Sequence, residues 1–419
     1  MAVTYHMNER SFVTAVEVDM GSQVEPLAGV VLRGGKVLDA ATGESSPLDL
    51  GVSGGMVVEP SSLDRPTEVD ASGLLITFGL WDNHAHPGSL MYDPSAAGFF
   101  ESIASRTVRA GENLREAASM GVTGMRCLHE VSGIDLAWAA AFKAGAPAGP
   151  RVLCAGQAIR TTGGHGTVFP RRYFEFEDAL VADGPAEMAR AVRSQVERGV
   201  DWIKVLLTGG LMSEHETVDG AQLSDEELVA LVATATQRGL PVAAHCGGAR
   251  PAERFAELGG RTIEHGYALD ERAARRMAEA GIWLDPTLGV SHDSAFISAD
   301  DWPAYAAERA AQVAPAHAES LRMCIEAGVR IVTGADLNPI GPRLHAELAF
   351  LHKAGMSRRE VLYAATVASR TLNGLGDATA PGPGIAADLL LLDGDPLEDL
   401  EVLRKPAAVM AYGRFLFGP

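Results

Sequence analysis

A chain of 419 residues with 47% apolar and 21% charged side chains has material for a sizeable core, and its composition excludes general disorder. Its 54 acidic residues against 35 basic ones leave a formal charge of -19, which disfavours nucleic acid or an anionic membrane as a partner. Four scattered cysteines, Cys127, Cys154, Cys246 and Cys324, form no CxxC pair, as expected in a reducing compartment.

The opening stretch contains Glu9, Arg10, Glu17 and Asp19 and lacks the apolar segment of a secretory signal. No uninterrupted apolar run reaches the roughly 18 residues a membrane span needs. A cytoplasmic protein is therefore expected. From about Leu27 to Val69, short β-branched runs alternate with Gly, Pro, Ser and Asp turns, a β-meander pattern. Similar apolar runs, ADLLLLDGDP and AAVMAYGRFLF, return near the C-terminus. Residues 1–74 and 373–419 are thus expected to form one small β-sandwich domain, with residues 75–372 inserted between them.

The inserted part alternates differently. Short apolar runs at 74–78, 122–128, 151–156, 201–207, 240–245, 261–266, 281–287 and 329–336 read as eight buried parallel strands. Helical patterns such as DGPAEMARAVRSQVERG, SDEELVALVATATQRG, RPAERFAELGG and DERAARRMAEAG lie between several of them, opening on Asp, Ser or Arg-Pro and closing on Gly. This is the arithmetic of an α/β fold, a (β/α)8 TIM barrel.

The polar residues fall on one end of those strands. His84 and His86 follow the first, Lys204 lies in the fourth, His245 and His265 end the fifth and sixth, and Asp336 ends the eighth. Barrel active sites are built at the carboxyl ends. The i, i+2 spacing of His84 and His86 puts both imidazoles on one side of an extended segment, as chelation of a single ion requires. Histidine and carboxylate ligands suit zinc, manganese, iron or cobalt. A protonated Lys204 would be repelled by a dication, so it needs neutralisation or conversion to an anion. Carbamylation by carbon dioxide supplies that anion; a structural salt bridge to Asp201 is the plainer alternative.

This constellation resembles the amidohydrolase superfamily over nearly the whole chain. TTGGHG (161–166), IKVLLTGG (203–210), AAHCGG (243–248), IEHG (263–266), ELAFLHKAG (347–355) and the ATVASRTLNGLGDATAPGPGIAADLLLLDGDP string look like its prolidase-like and imidazolonepropionase-related branch. The resemblance implies a binuclear site, with His84, His86 and Asp336 on one metal, His245 and His265 on the other, and carbamylated Lys204 bridging them. Metal-activated hydroxide would attack the carbonyl, and Asp336 would pass a proton to the leaving nitrogen. His165 is a candidate donor to the carbonyl oxygen or a substrate carboxylate, with Tyr267 and His215 as further pocket candidates.

Plainer readings suffice elsewhere. His6, His292, His317 and His352 read as surface or internally satisfied residues, as does His129, although its place after the second strand also suits the pocket wall. Cys246 reads as a small core residue, and the glycine pairs match no phosphate-binding motif. Dipeptidase-like members of the branch often carry a tyrosine two residues after the strand-five histidine, where this chain has Gly247. Arg171 and Arg172 offer charge for a substrate carboxylate, although surface arginines are common.

The expected reaction is hydrolysis of an amide-type C–N bond in a small molecule, an N-acyl amino acid, dipeptide-like or aryl amide. Opening of a cyclic amide, urea or carbamate hydrolysis, or deamination is the alternative on the same site. A barrel that binds ligands without turnover is the non-enzymatic one. Related enzymes often form even-numbered homo-oligomers, and the same is expected here.

Overall fold

The computed structural model describes residues 29–88, 101–145, 147–167, 179–300 and 302–418. The expectations for the opening stretch, including His6, and for Arg171 and Arg172 lie outside the described residues.

Both ends of the described chain meet in antiparallel-rich sheets. Leu389–Leu392 pairs antiparallel with Leu75–Phe78 and with Ala408–Ala411, while Leu75–Phe78 runs parallel to Lys36–Leu38. The resulting six-stranded sheet also takes in Ser45–Pro47 and Arg414–Phe417, and a second sheet joins Met56–Val58, Leu50–Ser53, Val30–Arg33 and Thr67–Asp70.

This corrects one expectation. The run 74–78 is not the first parallel strand; Leu75–Phe78 belongs to the six-stranded sheet, and the parallel set begins with Leu80–Ala85. An apolar run states that a strand is buried without stating in which sheet. The switch falls at Gly79, where a Cβ would come within 2.0 Å of Thr123 Oγ1, so a glycine is required for the chain to cross.

The parallel strands form two sheets. Leu80–Ala85, Val122–Cys127 and Arg151–Cys154 make one of three strands. Ile203–Leu206, Val242–Gly248, Thr262–Ala268, Trp283–Asp285 and Arg330–Ile331 run in order through the other. The latter also carries two short strands not anticipated from the sequence, Ile159–Arg160 and Leu180–Val181. The sheets meet at both margins: Asp201 N and Trp202 N donate to Cys154 O, while Asn83 N donates to Thr333 O and Asp336 N to His84 O.

Helices alternate with these strands for local reasons. Ser224 caps Asp225–Gln237 in a reciprocal box with Glu227, and Asp270 caps Glu271–Ala280. Gly184–Arg198 and Glu271–Ala280 end on left-handed Gly199 and Gly281. One continuous apolar cluster runs from Leu32 and Leu390 of the small sheets to Val205, Ala244 and Ile263 of the parallel ones, fixing the two parts against each other. No helix among the described residues is long and apolar enough to cross a membrane.

Candidate metal centre

The six anticipated residues converge. His84 ends Leu80–Ala85 and His86 follows it; Lys204, His245 and His265 lie within their strands, and Asp336 sits just past Arg330–Ile331. All six are buried. Nε2 of His84 lies 3.5 Å from Asp336 Oδ1 and 3.4 Å from Lys204 Nζ, and His86 Nε2 lies 3.1 Å from the same Asp336 oxygen. The His265 ring stands 5.0 Å from that of His84 and 4.5 Å from that of His245, and its Nδ1 is 3.8 Å from Asp336 Oδ2. His84, His86 and Asp336 each offer a ligand atom within 4.8 Å of the others.

Backbone strain concentrates in the same place. His265, Asp336 and Thr287 all adopt left-handed φ of 70°, 55° and 47°, a region that non-glycine residues rarely occupy and that is especially costly for β-branched threonine. Thr287 contacts the ring directly, its Oγ1 lying 2.7 Å from His265 Nδ1.

Outer partners decide which nitrogen of each imidazole faces inward. His86 Nδ1 meets the His129 carbonyl at 3.1 Å, and a carbonyl only accepts, so Nδ1 donates there and Nε2 is the nitrogen left to face Asp336. His245 is turned the other way: its Nε2 donates to Gly209 O at 3.0 Å, leaving Nδ1 as the free acceptor. Burial, reinforced by neighbouring cations, drives His84, His245 and His265 well below the usual histidine range, so these rings are neutral near pH 7. Burial opposes protonation of His86 as well, but the hydrogen bond and charge of Asp336 outweigh it and raise its pKa. Burial lowers Lys204 to about 8, against the opposing pull of Glu264 and Asp336. Asp201 instead accepts from Cys154 N at 2.8 Å.

His165 joins this cluster, stacked on His245 at 4.2 Å. Its Nδ1 donates to the Glu216 carboxylate, which also accepts from Gly210 N at 2.9 Å and from Gln222 Nε2 at 2.7 Å. The Gln222 carbonyl oxygen in turn accepts from His165 N at 2.7 Å. Burial would raise the Glu216 pKa, but these donors hold it below the usual range. The two glycine motifs interlock here, because a Cβ on Gly210 would lie 2.3 Å from the His165 ring. Arg309 fixes the same loop from the helix Ala304–Glu326, donating to the carbonyls of Gly210, Leu211, Ser213 and Glu214.

The other candidates divide. Tyr267 is buried and stacks on His265, rings 5.1 Å apart and 3° from parallel. His215 is not brought in: its side chain is 92% exposed, with Glu214 4.0 Å away. His129 supplies a carbonyl to His86 and its Nδ1 accepts from Ala158 N. His317 is satisfied between Ser291 Oγ and the carbonyl of His265, and His292 and His352 also have hydrogen-bonding partners. All four cysteines are buried and free. At Gly247 a Cβ would lie 2.2 Å from Val218 O, so the loop 208–220 crosses where a side chain would stand.

Sequence reasoning missed Glu216, Glu264, Arg126 and Thr287. For Arg126 and Glu264 a signal existed: each is a charged residue inside a buried parallel strand, which demands a buried partner. Glu216 and Thr287 sit in loops and left no such mark.

Strands carrying buried neutral histidines and a carboxylate at one end define a metal-binding hydrolase site. The family model described as "Amidohydrolase family" matches residues 75–416, and this chain belongs to that family, hydrolases of amide-type C–N bonds. Ochratoxinase of Aspergillus niger is 32% identical over 358 residues, covering 79% of this chain and 72% of its own length. The crystal structure of that ochratoxinase superposes with a TM-score of 0.81 at 26% identity, covering 93% of this chain and 96% of the other. A Xaa-Pro dipeptidase solved with methionine in its active site gives 0.84 at 27% identity, covering 93% and 100%.

Proposed function

We propose that this protein hydrolyses the amide bond of a small N-acyl amino acid, dipeptide-like or aryl amide, using two divalent metal ions held by the six-residue ring. The observation that carries this reading is the convergence of His84, His86 and Asp336 donor atoms in a buried pocket. The donor set fits divalent metal ions: Nε2 of His86 and Nδ1 of His245 are the nitrogens their outer partners leave to the ring. His84, His86 and Asp336 would hold one ion and His245 and His265 the other. Zinc is the first choice, with manganese, iron and cobalt compatible with the same ligands. Lys204, near-neutral at a pKa of about 8, is suited to add carbon dioxide as a carbamate with loss of a proton, giving a bridging anion. When bound, such ions supply a water of lowered pKa and polarise the scissile carbonyl.

The chain's own residues do the rest. Asp336 accepts a proton and returns it to the leaving nitrogen. His165, its Nδ1–H committed to Glu216, turns Nε2 to the substrate, and as an imidazolium paired with that carboxylate it would donate from Nε2 to the carbonyl oxygen or a substrate carboxylate. Tyr267 forms a wall behind His265. The similarity to ochratoxinase and to a Xaa-Pro dipeptidase favours substrates bearing an amino-acid carboxylate.

The same reading extends to architecture and setting. The hydrogen bonds joining the two parallel sheets at both margins support a (β/α)8 barrel over residues 75–372, and the paired end strands support a small β-sandwich from residues 1–74 and 373–419. We place the enzyme in the cytoplasm as an even-numbered homo-oligomer, and its acidic charge supports partners other than nucleic acid or an anionic membrane.

Metal analysis of the purified chain combined with a screen of N-acyl amino acids against ureas, carbamates and lactams tests this. Near-stoichiometric metal and turnover confined to N-acyl amino acids is the expected result. Metal-free protein with no loss of activity on chelation would overturn it.

A further inference from the structure

A charged pair lies buried beneath the ring. Arg126 and Glu264 are both fully buried, and Nη2 of the arginine lies 3.0 Å from each Glu264 oxygen. The remaining guanidinium donors are also spoken for: Nε donates to Asn83 O at 2.7 Å and Nη1 to Thr262 Oγ1 at 3.2 Å. Its flat face rests 4.4 Å from the Trp202 ring. Arg126 therefore ties the residue before His84 to the residue before His265. Glu264 Oε2 reaches on to His84 Nδ1, at 3.1 Å.

We propose that Glu264, held in place by Arg126, is a positioning residue that fixes His84 with its proton on Nδ1 and its Nε2 turned toward Asp336 and Lys204, and thereby sets how tightly the ring holds metal. Lys204 Nζ donates to His84 Nε2, so that nitrogen accepts and the ring proton falls on Nδ1, the nitrogen beside the Glu264 carboxylate. The other nitrogen then faces the ring, where Asp336 Oδ1 and Lys204 Nζ are found 3.5 and 3.4 Å away. Carboxylates that hold ligating histidines in this way typically change metal affinity by about 10- to 100-fold when removed. Arg126 supplies the rigidity for the carboxylate to act, its Nη2 lying 3.0 Å from each Glu264 oxygen and so fixing where the carboxylate can point.

A competing assignment is that Glu264 and Asp285 are themselves ligands, since His84, Glu264 and Asp285 also offer atoms within 4.8 Å of one another. Arg126 argues against it. The guanidinium occupies both Glu264 oxygens and approaches Asp285 Oδ2 to 3.7 Å, so a dication there would face a fixed positive charge.

The inference rests on the metal-holding reading above, and the test separates the two. Zinc is titrated into the metal-free full-length chain against a chromophoric chelator, for wild type, Glu264→Gln and the paired variant Arg126→Gln/Glu264→Gln. Zinc content at saturation is measured by mass spectrometry, and folding by circular dichroism. The paired variant removes both members of the buried Arg126–Glu264 pair together and carries the test where Glu264→Gln alone fails to fold. Zinc affinity about 10- to 100-fold weaker with an unchanged number of ions at saturation is the expected result. In histidine-15N-labelled, metal-free protein, the His84 signals should show Nδ1–H in wild type and a mixture of tautomers in the variants. Folded variants with wild-type affinity and an unmixed tautomer overturn the proposal. Loss of a whole zinc equivalent at saturation also overturns it, because Glu264 would then be a ligand. A wild type that takes up no zinc overturns the metal reading itself, whatever the variants do.

Discussion

The strands Leu389–Leu392 and Thr262–Ala268 are both almost entirely buried, yet they are built from opposite materials. The first is four leucines between two antiparallel neighbours, held by apolar contact and needing no partner beyond its ladder. The second reads TIEHGYA and places a glutamate, a histidine and a tyrosine in the interior, each requiring an arginine, a hydroxyl or a ring to be tolerated. Non-directional burial accepts many sequences, whereas a buried polar strand accepts few. The left-handed His265 and Asp336 belong to the second kind of construction, where stability is given up to aim side chains.

Substitutions should separate the two regions cleanly. Asp336→Asn is expected to lower kcat by at least about a thousandfold on an amide substrate, with the fold retained by circular dichroism, because proton transfer and an anionic ligand are lost together. A variant within tenfold of wild type would break the contrast at its polar end. Leu390→Ala should do the reverse, costing about 2–5 kcal/mol in urea unfolding while leaving kcat nearly unchanged under native conditions.

Smaller effects sharpen the comparison. Glu216→Gln should reduce kcat by about a hundredfold with little loss of stability, since His165 would lose the carboxylate that fixes its Nδ1 proton. Equal falls in stability and activity would reduce Glu216 to a structural residue. Glu347 tests the cost of polar burial through pH. Buried and accepting from Leu288 N and Gly289 N, it is pushed up by burial to about 8. The unfolded chain ionises this carboxylate near 4.5, so between about 4.5 and 8 the folded state binds the extra proton and stability falls as pH rises, levelling off above that window. Glu347→Gln should remove a slope of up to about 1.4 kcal/mol per pH unit, measured as urea midpoints at several pH values. His215→Ala should change kcat by less than about twofold and stability by less than about 0.5 kcal/mol, because that side chain stands in solvent.

The convergence of the six residues was legible because they are rare residue types placed at the ends of apolar runs, a pattern that survives without knowledge of contacts. Helix ends were legible for similarly local reasons, as Ser224 with Glu227 and Asp270 with Gly281 illustrate. The run at 74–78 was misassigned to the parallel set, since four buried apolar residues look alike in any sheet and only pairing with Leu389–Leu392 decides between them. His215 shared its residue type with the ring members, but its loop carries it outward.

The sequence by itself determined the alternation of strands and helices, the six ring residues and the chemical class of the site, all properties of spacing and side-chain type. Only the tertiary structure decided which nitrogen each histidine turns inward and which residues hold it there. Glu264 reaches His84 across 180 positions of sequence, and Arg126 reaches Glu264 across 138. Such contacts obey no period along the chain, because they are fixed by the packing of whole strands side by side.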